Sequence, residues 1–443
     1  MLNTIPVEVD SRFEGERVRN STAYVTLGGE KNNGVELIRV KSLNDLPERK
    51  VIVKGPDLPE MEEGGSYPYG VFIEVGGKKL EEDLEGVFER RIHDFSNYIN
   101  GFMHLNSRNM IKARISKESV KAGLRLEHVG EALIDLFKTE WEAIEKIRIT
   151  IYTDKEKVNQ LLNKSEEIFS ERDEKIRGLS DEDADTFYGC VMCQSFATKQ
   201  MCAITPERTP GCGSISWLVA KAAIKVSPDT SIFEIPKGDL IDPLKGEYSG
   251  INEIRKEKSR GDIEKVYLYS IFNHPHSTGL LEAVIFYIPE MDGIGIVHKD
   301  FQGKNPLGVN FTTLSKQIAI GEPMDGFTGV SVEYLRSKKF LIADGGWERV
   351  IWISKNLKEN IQKNIPVDLS NKIATEDNAK DLDSLKKYLI GVNHPIIDLS
   401  NSNKEIPHQQ LESKQSKRNL EDQNKIEVKL ENSKISVGRI VFK

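Results

Sequence analysis

Cys190, Cys193, Cys202 and Cys212 are the only thiols in a chain of 443 residues, and all four fall between positions 190 and 212. Their spacing is C-x2-C-x8-C-x9-C. A thiolate is a soft donor suited to zinc or to iron–sulfur clusters. The first pair can grip one metal centre from a single turn, because two intervening residues let both sulfurs point the same way. A structural zinc site usually brings a second tight pair, which this chain lacks. Ligands arriving from successively longer loops suit the corners of a cubane [4Fe–4S] cluster better. From spacing alone a cluster is favoured over zinc, and either over ordinary buried thiols; the metal type stays open.

The bulk composition narrows the setting. A chain this long is expected to form two or three domains, and a hydrophobic share of 38% suffices for real cores. The net charge of −7 argues against a nucleic-acid partner. No apolar run approaches the roughly 18 residues needed to cross a membrane, and the first 20 residues carry mixed charge without a secretory apolar segment. A cytoplasmic protein is expected, and in that compartment clustered cysteines read as metal ligands rather than disulfides.

The elements that must position the cysteines follow from periodicity. "VELIRV", "VIVKG" and "YGVFIEV" read as strands, broken by the turn chemistry of "GPDLPEMEEGGSYP". "KLEEDLEGVFERRIHDFSNYIN" and "EHVGEALIDLFKTEWEAIEKI" read as helices, and "MIKARIS" and "IRITIYT" as strands. These alternating elements predict a first α/β domain over 1–165. The charged helix "DKEKVNQLLNKSEEIFSERDEKIRG" reads as a solvated connector packed on one side. Ser180, with Asp183 three residues on, predicts a short capped helix that delivers the cysteines. A second α/β domain, carrying the metal cluster, is predicted over 166–365, with "WLVAKAAIKV" and strand-like "VYLYSIF", "AVIFYIP", "GIGIVH" and "RVIWIS". Beyond it come a docked helical segment over 366–400 containing "LDSLKKYLIG", a disordered linker over 401–425, and a C-terminal β-hairpin over 426–443.

"DTFYGCVMCQSFA", "CAITPERTPGCGSISWL" and "KAA" resemble the iron–sulfur segment of the acetyl-CoA synthase family, most strongly the archaeal acetyl-CoA decarbonylase/synthase beta subunits. The resemblance extends to "FEGERVR", "MEEGGSYPYGVFIEVGGKK", "ERRIHDFSNYINGFMH", "GINEI", "NPLGVNFTTL" and "SKKFLIADGGWERVIWISKNLKE", covering most of 13–366, and to the terminal hairpin. It implies a [4Fe–4S] cluster on Cys190, Cys193, Cys202 and Cys212, bridged through Cys193 to a pair of nickel ions. It also implies a reaction in which acetyl-CoA is made or cleaved from a methyl-corrinoid, CO and coenzyme A. Carbon monoxide dehydrogenase and corrinoid iron–sulfur subunits are the implied partners. Phe196 matches a family aromatic beside the nickel; it reads equally well as a core residue.

One departure bears on the activity. The family's Cys-Gly-Cys turn, which holds the nickel, aligns from Pro275 and Glu282 onto Thr278, Gly279 and Leu280, with one residue missing upstream. A low-valent soft metal wants thiolate or thioether donors, which threonine and leucine do not supply. The family's glycine-rich loop carries Ala319 and Ile320, and Thr198, Gln200 and Met201 also depart from its pattern. The expectation is a chain that keeps the cluster and lacks the nickel pair, a non-catalytic or repurposed relative. The alternative is an active synthase with nickel held in another way, so whether the chain is an enzyme stays open.

Other constellations carry weaker signals. His274, His276 and His298 are candidates for a replacement metal site but read mainly as polar surface. Arg90, Arg91, Lys112, Arg114, Lys117, Lys121 and Arg125 lie in the first domain, where the family binds coenzyme A; a solvated face explains them equally well. Gly345–Gly346 follows no nucleotide-binding spacing and reads as a turn.

Overall fold

The computed structural model describes residues 5–29, 32–107, 110–195, 197–226, 231–273, 281–318 and 323–397. The expected linker over 401–425 and hairpin over 426–443 lie outside the described residues. The architecture is α/β, and all described residues belong to one compact unit.

The first sheet has the order Gly34–Val40, Tyr69–Gly76, Lys146–Tyr152, Arg49–Lys54. Its outer pairings are parallel and its central one antiparallel. Strand alternation explains the burial: Val71, Ile73 and Val75, like Ile147, Ile149 and Ile151, are fully buried. Helix Leu126–Glu140 lies against two of these strands with Val129, Leu133, Ile134 and Phe137 inward. The approach is close, since a Cβ on Gly130 would lie 2.5 Å from Val51 Cγ1. The helix ends at Glu140 rather than running on through 141–147. Trp141 there turns into the core edge-on to Phe88, ring centroids 5.0 Å apart. A second sheet has the order Ser66–Tyr67, Ala23–Gly28, Met110–Ser116, Phe102–Ser107.

Helix Lys155–Arg177 is capped by Asp154, whose carboxylate accepts the Lys157 N–H at 3.0 Å. It buries one side, placing Val158, Leu161 and Ile168 against Val35 and Leu37. Beyond it Ser180 and Asp183 form a turn instead of the predicted helix. The Ser180 hydroxyl donates to the Asp183 carboxylate at 2.6 Å, and the chain runs straight into strand Thr186–Cys190. That strand centres an antiparallel sheet with Cys202–Ile204 on one side and Ile232–Pro236 on the other. One hydrophobic core joins the first sheet to Tyr188, Cys190, Cys202, Ile204, Val219 and Ile232.

The last large sheet orders Phe327–Val330, Ala283–Ile288, Gly293–His298, Val350–Ile353. The stretch 266–272 ("VYLYSIF") is not one of its strands. Val266, Leu268, Tyr269 and Ile271 are buried, and their backbone is satisfied by side chains and by carbonyls of neighbouring loops, the Tyr269 N–H donating to the Lys245 carbonyl at 3.0 Å. The Val266 N–H donates to Asn252 Oδ1 at 2.8 Å and the Ile271 N–H to the Asp344 carboxylate at 2.6 Å. Gly345 and Gly346 both take left-handed φ, +89° and +56°, and so form the expected turn.

Helix Leu382–Gly391 docks through Leu385 and Leu389. His394 follows it and is buried. Its Nε2 lies 3.1 Å from the Val350 carbonyl, and its Nδ1 accepts the Ile396 N–H at 3.1 Å, which assigns the neutral tautomer protonated on Nε2. Burial pulls its pKa down to about 4. The unfolded chain, with an ordinary histidine pKa near 6.5, takes up a proton first as pH falls. Stability should therefore fall between about pH 6.5 and 4, His394 contributing on the order of 2 kcal/mol of the loss. Thermal unfolding of wild type and His394→Gln across that range checks this; the variant should show a flatter profile.

Candidate metal centre

Half of the thiol constellation is set by a β-ladder. Cys190 ends strand Thr186–Cys190, Cys202 begins Cys202–Ile204, and the two are register partners in the antiparallel pair. Directly opposed residues project from the same face with Cβ atoms about 5 Å apart, so the ladder itself brings these thiols side by side. Cys193 follows on the 3₁₀ turn Met192–Ser195, where the Gln194 N–H donates to the Val191 carbonyl at 2.9 Å. The Cys193 carbonyl accepts the Ala197 N–H at 2.8 Å.

Cys212 sits on a turn closed by the Gly213 N–H donating to the Pro210 carbonyl at 2.9 Å. Gly213 has φ +68°, and a Cβ there would run into the Glu282 carboxylate. Glu282 pins this loop from below. Its N–H donates to the Gly211 carbonyl at 2.8 Å, and its carboxylate accepts the Val332 N–H at 2.8 Å.

The four thiols line a single cavity together with Arg90, Met192, Gln200, Pro210 and Ile215. No carboxylate or imidazole is among these described lining residues. Among the described residues no group of three or more His, Cys, Asp or Glu is gathered as a site for a single metal ion. Cys190 and Cys202 are buried, Cys193 and Cys212 partly exposed. Burial, then the neighbouring Cys193, pushes the Cys190 thiol up to about 12. Burial pushes Cys202 well up too, against a 3.1 Å hydrogen bond from the Gln200 side-chain amide to its sulfur. In the metal-free protein both are neutral thiols at ordinary pH; a bound cationic metal centre would deprotonate them. A donor set of four thiols, with the buried Arg90 guanidinium beside it as a cation, fits an anionic iron–sulfur cluster.

The other expected residues divide. Phe196, Thr278, Gly279, Leu280, His274, His276, Ala319 and Ile320 lie outside the described residues. His298 ends strand Gly293–His298 and lines a separate cleft of about 240 Å³ with Asp300, Ser354 and Glu376. It is buried rather than polar surface, and it does not line the cysteine cavity. The basic set of the first part does not form one solvated face. Arg91 is engaged by Glu140 at 2.8 Å and Lys117 by Glu63 at 2.7 Å, while Arg90 is buried in the cysteine cavity. Gln200, expected only as a departure, touches the Cys202 sulfur. Two more arginines near the thiols, Arg208 and Arg255, went unsignalled in the sequence, although Arg208 sits between Cys202 and Cys212 in "ITPERTPGC".

Residues 5–158 match the family model described as CO dehydrogenase/acetyl-CoA synthase complex beta subunit, and residues 169–402 match the model for the C-terminal region of the ACS/CODH beta subunit. The chain belongs to the beta-subunit family of the acetyl-CoA decarbonylase/synthase complex. It is 48% identical over 399 residues to the acetyl-CoA decarbonylase/synthase complex subunit beta of Methanothermobacter thermautotrophicus, covering 90% of this chain and 86% of that one. The corresponding Methanopyrus kandleri protein is 49% identical, covering 90% and 85%. Subunit beta 2 of Methanocaldococcus jannaschii is 50% identical, covering 89% and 84%.

Two outcomes follow from the geometry. In iron-free protein at pH 8, iodoacetamide should modify Cys193 and Cys212 well before Cys190 and Cys202, as read by peptide mass; the reverse order would contradict the burial pattern. Gly213→Ala should cost about 1–3 kcal/mol through its left-handed φ and the Glu282 clash, seen as a lower unfolding midpoint and poorer iron retention.

Proposed function

We propose that this beta-subunit homologue holds one [4Fe–4S] cluster on Cys190, Cys193, Cys202 and Cys212 and lacks the dinickel site, which makes it a non-catalytic or repurposed iron–sulfur protein. The observation that carries the reading is the convergence of all four thiols on one cavity, with Arg90 as the cation beside them. A bound cluster supplies one-electron exchange. With only four cysteines in the chain, a cluster that uses all of them leaves no thiolate for a nickel pair beyond the bridging Cys193. Thr278, Gly279 and Leu280 at the aligned turn offer no soft donor in exchange.

Docking to carbon monoxide dehydrogenase and corrinoid iron–sulfur subunits, and a cytoplasmic location, go with this reading, because the relatives are named as subunits of a complex. A coenzyme A site in the first part is proposed without assigned residues. The gap between the two family matches, from 158 to 169, supports a division near residue 165.

A second reading, an active CO-methylating synthase with nickel held by other groups, is favoured by the 48% identity over 90% of the chain. Anaerobic iron, nickel and zinc analysis of the purified protein, followed by an acetyl-CoA assay with methyl-corrinoid, CO and coenzyme A, separates the two. About four irons per chain, no nickel and no acetyl-CoA are expected. Near-stoichiometric nickel with turnover would overturn the first reading, and zinc without iron would overturn both.

A further inference from the structure

Three guanidinium groups from separate parts of the chain are buried around the thiols. Arg90, 5% exposed, comes from helix Glu85–Asn97 and lines the cysteine cavity. Arg208, 2% exposed, lies on the loop between Cys202 and Cys212. Arg255, also 2% exposed, comes from helix Ser249–Lys258 and donates to the carbonyl of Met201, the residue before Cys202, at 3.2 Å. A thiolate at Cys190, Cys193 or Cys212 would stabilise the Arg90 guanidinium, and one at Cys202 would stabilise those of Arg208 and Arg255.

A buried cation is tolerated when an anion or a full set of hydrogen bonds compensates it. Arg90 has such a partner in Asp94, at 3.2 Å. Arg208 is held differently. Its guanidinium stacks over the Tyr334 ring at 3.8 Å and its Nη2 lies 3.4 Å from the Thr328 hydroxyl, while Nη1 has no hydrogen-bond partner among the described residues. Burial pulls the pKa of Arg208 down and brings that of Arg255 to about 10; a guanidinium keeps its proton in proteins. Buried guanidinium groups beside four cysteines are poised for a group that brings negative charge. Four thiolates on a [4Fe–4S] core carry a net charge of −2 when the core is oxidised and −3 when it is reduced by one electron.

Resting on the cluster reading above, we infer that Arg208 and Arg255, with Arg90, are the buried counter-charges of the cluster and set its reduction potential. The electron comes from an external one-electron reductant, dithionite in the experiment below, and no bond is made or broken. Each retained positive charge favours the more negative, reduced state. Arg208 is the most informative of the three, because it has no carboxylate among its described hydrogen-bond and ion-pair partners.

The test is an anaerobic redox titration followed by electron paramagnetic resonance on full-length wild type, Arg208→Gln, Arg208→Lys and Arg255→Gln, with iron and sulfide measured on each sample. Arg208→Gln and Arg255→Gln should each lower the reduced-to-oxidised ratio at fixed potential about tenfold, about 59 mV to the negative for a one-electron couple. Arg208→Lys, which keeps the charge, should stay near wild type. Loss of iron from the glutamine variants alone, with Arg208→Lys fully loaded, would also support the inference, since charge would then be what holds the cluster. A wild-type midpoint in fully loaded Arg208→Gln and Arg255→Gln overturns it. So does an Arg208→Lys that fails as badly as Arg208→Gln, because shape and not charge would then matter. Wild type that takes up no iron would instead remove the cluster reading itself.

Discussion

Four cysteines line one cavity with the buried Arg90, and two further guanidinium groups, Arg208 and Arg255, are buried on segments adjoining them; a guanidinium taken out of water is costly unless it is compensated. The arrangement is tolerated because it is embedded in the main hydrophobic core. Cys190 and Cys202 pack with Ile204, Ile232 and Val219 and are continuous with the side chains under the first sheet. The ladder between Thr186–Cys190 and Cys202–Ile204 supplies backbone hydrogen bonds that are indifferent to what the thiols hold. The rigid part of the site is thus two thiols set by strand register. The adaptable part is the pair on turns, Cys193 and Cys212, which are also the two with partial exposure.

Helix Glu85–Asn97 ties the first sheet to this region. Glu85 accepts the Val40 N–H at 2.7 Å and pairs with Arg172 at 2.6 Å, while Glu89 accepts the Ile38 N–H at 2.9 Å. On the side toward the cysteines the same helix carries Arg90 into the cavity. At Gly86 it approaches so closely that a Cβ would lie 2.9 Å from the Ser214 carbonyl. A displacement of the first sheet would therefore be felt at Cys212 through tightly packed groups.

The segment 266–272, which leads toward the aligned nickel turn, is held by carboxylates and by loop backbone groups rather than by a sheet. Tyr269 donates its hydroxyl to Asp181, and Ser270 donates to Asp344 at 2.8 Å. Burial raises the pKa of both carboxyls, and hydrogen bonds oppose that rise. The apolar pattern of this stretch is that of a strand. Its partners, however, lie as far away in sequence as Asp181 and Asp344, and no local pattern shows them.

What the sequence determined by itself was the chemistry of the donors and the regular elements: the spacing of Cys190, Cys193, Cys202 and Cys212, the lack of any further thiol, and the strands and helices around the first sheet. Side-chain identity and period-2 or 3.6 alternation are local properties, readable wherever burial follows one face. The tertiary structure alone decided which charges go inside. Arg90 and Lys117 look alike in the sequence, yet one is buried beside the thiols and the other sits at the surface with Glu63. It likewise ended the helix at Glu140, made a turn of 180–183, and sent the Val266 and Ile271 amides to Asn252 and Asp344. The physical reason is common to all of these. The fate of a polar group is set by partners brought in from distant positions, and only the folded chain brings them within reach.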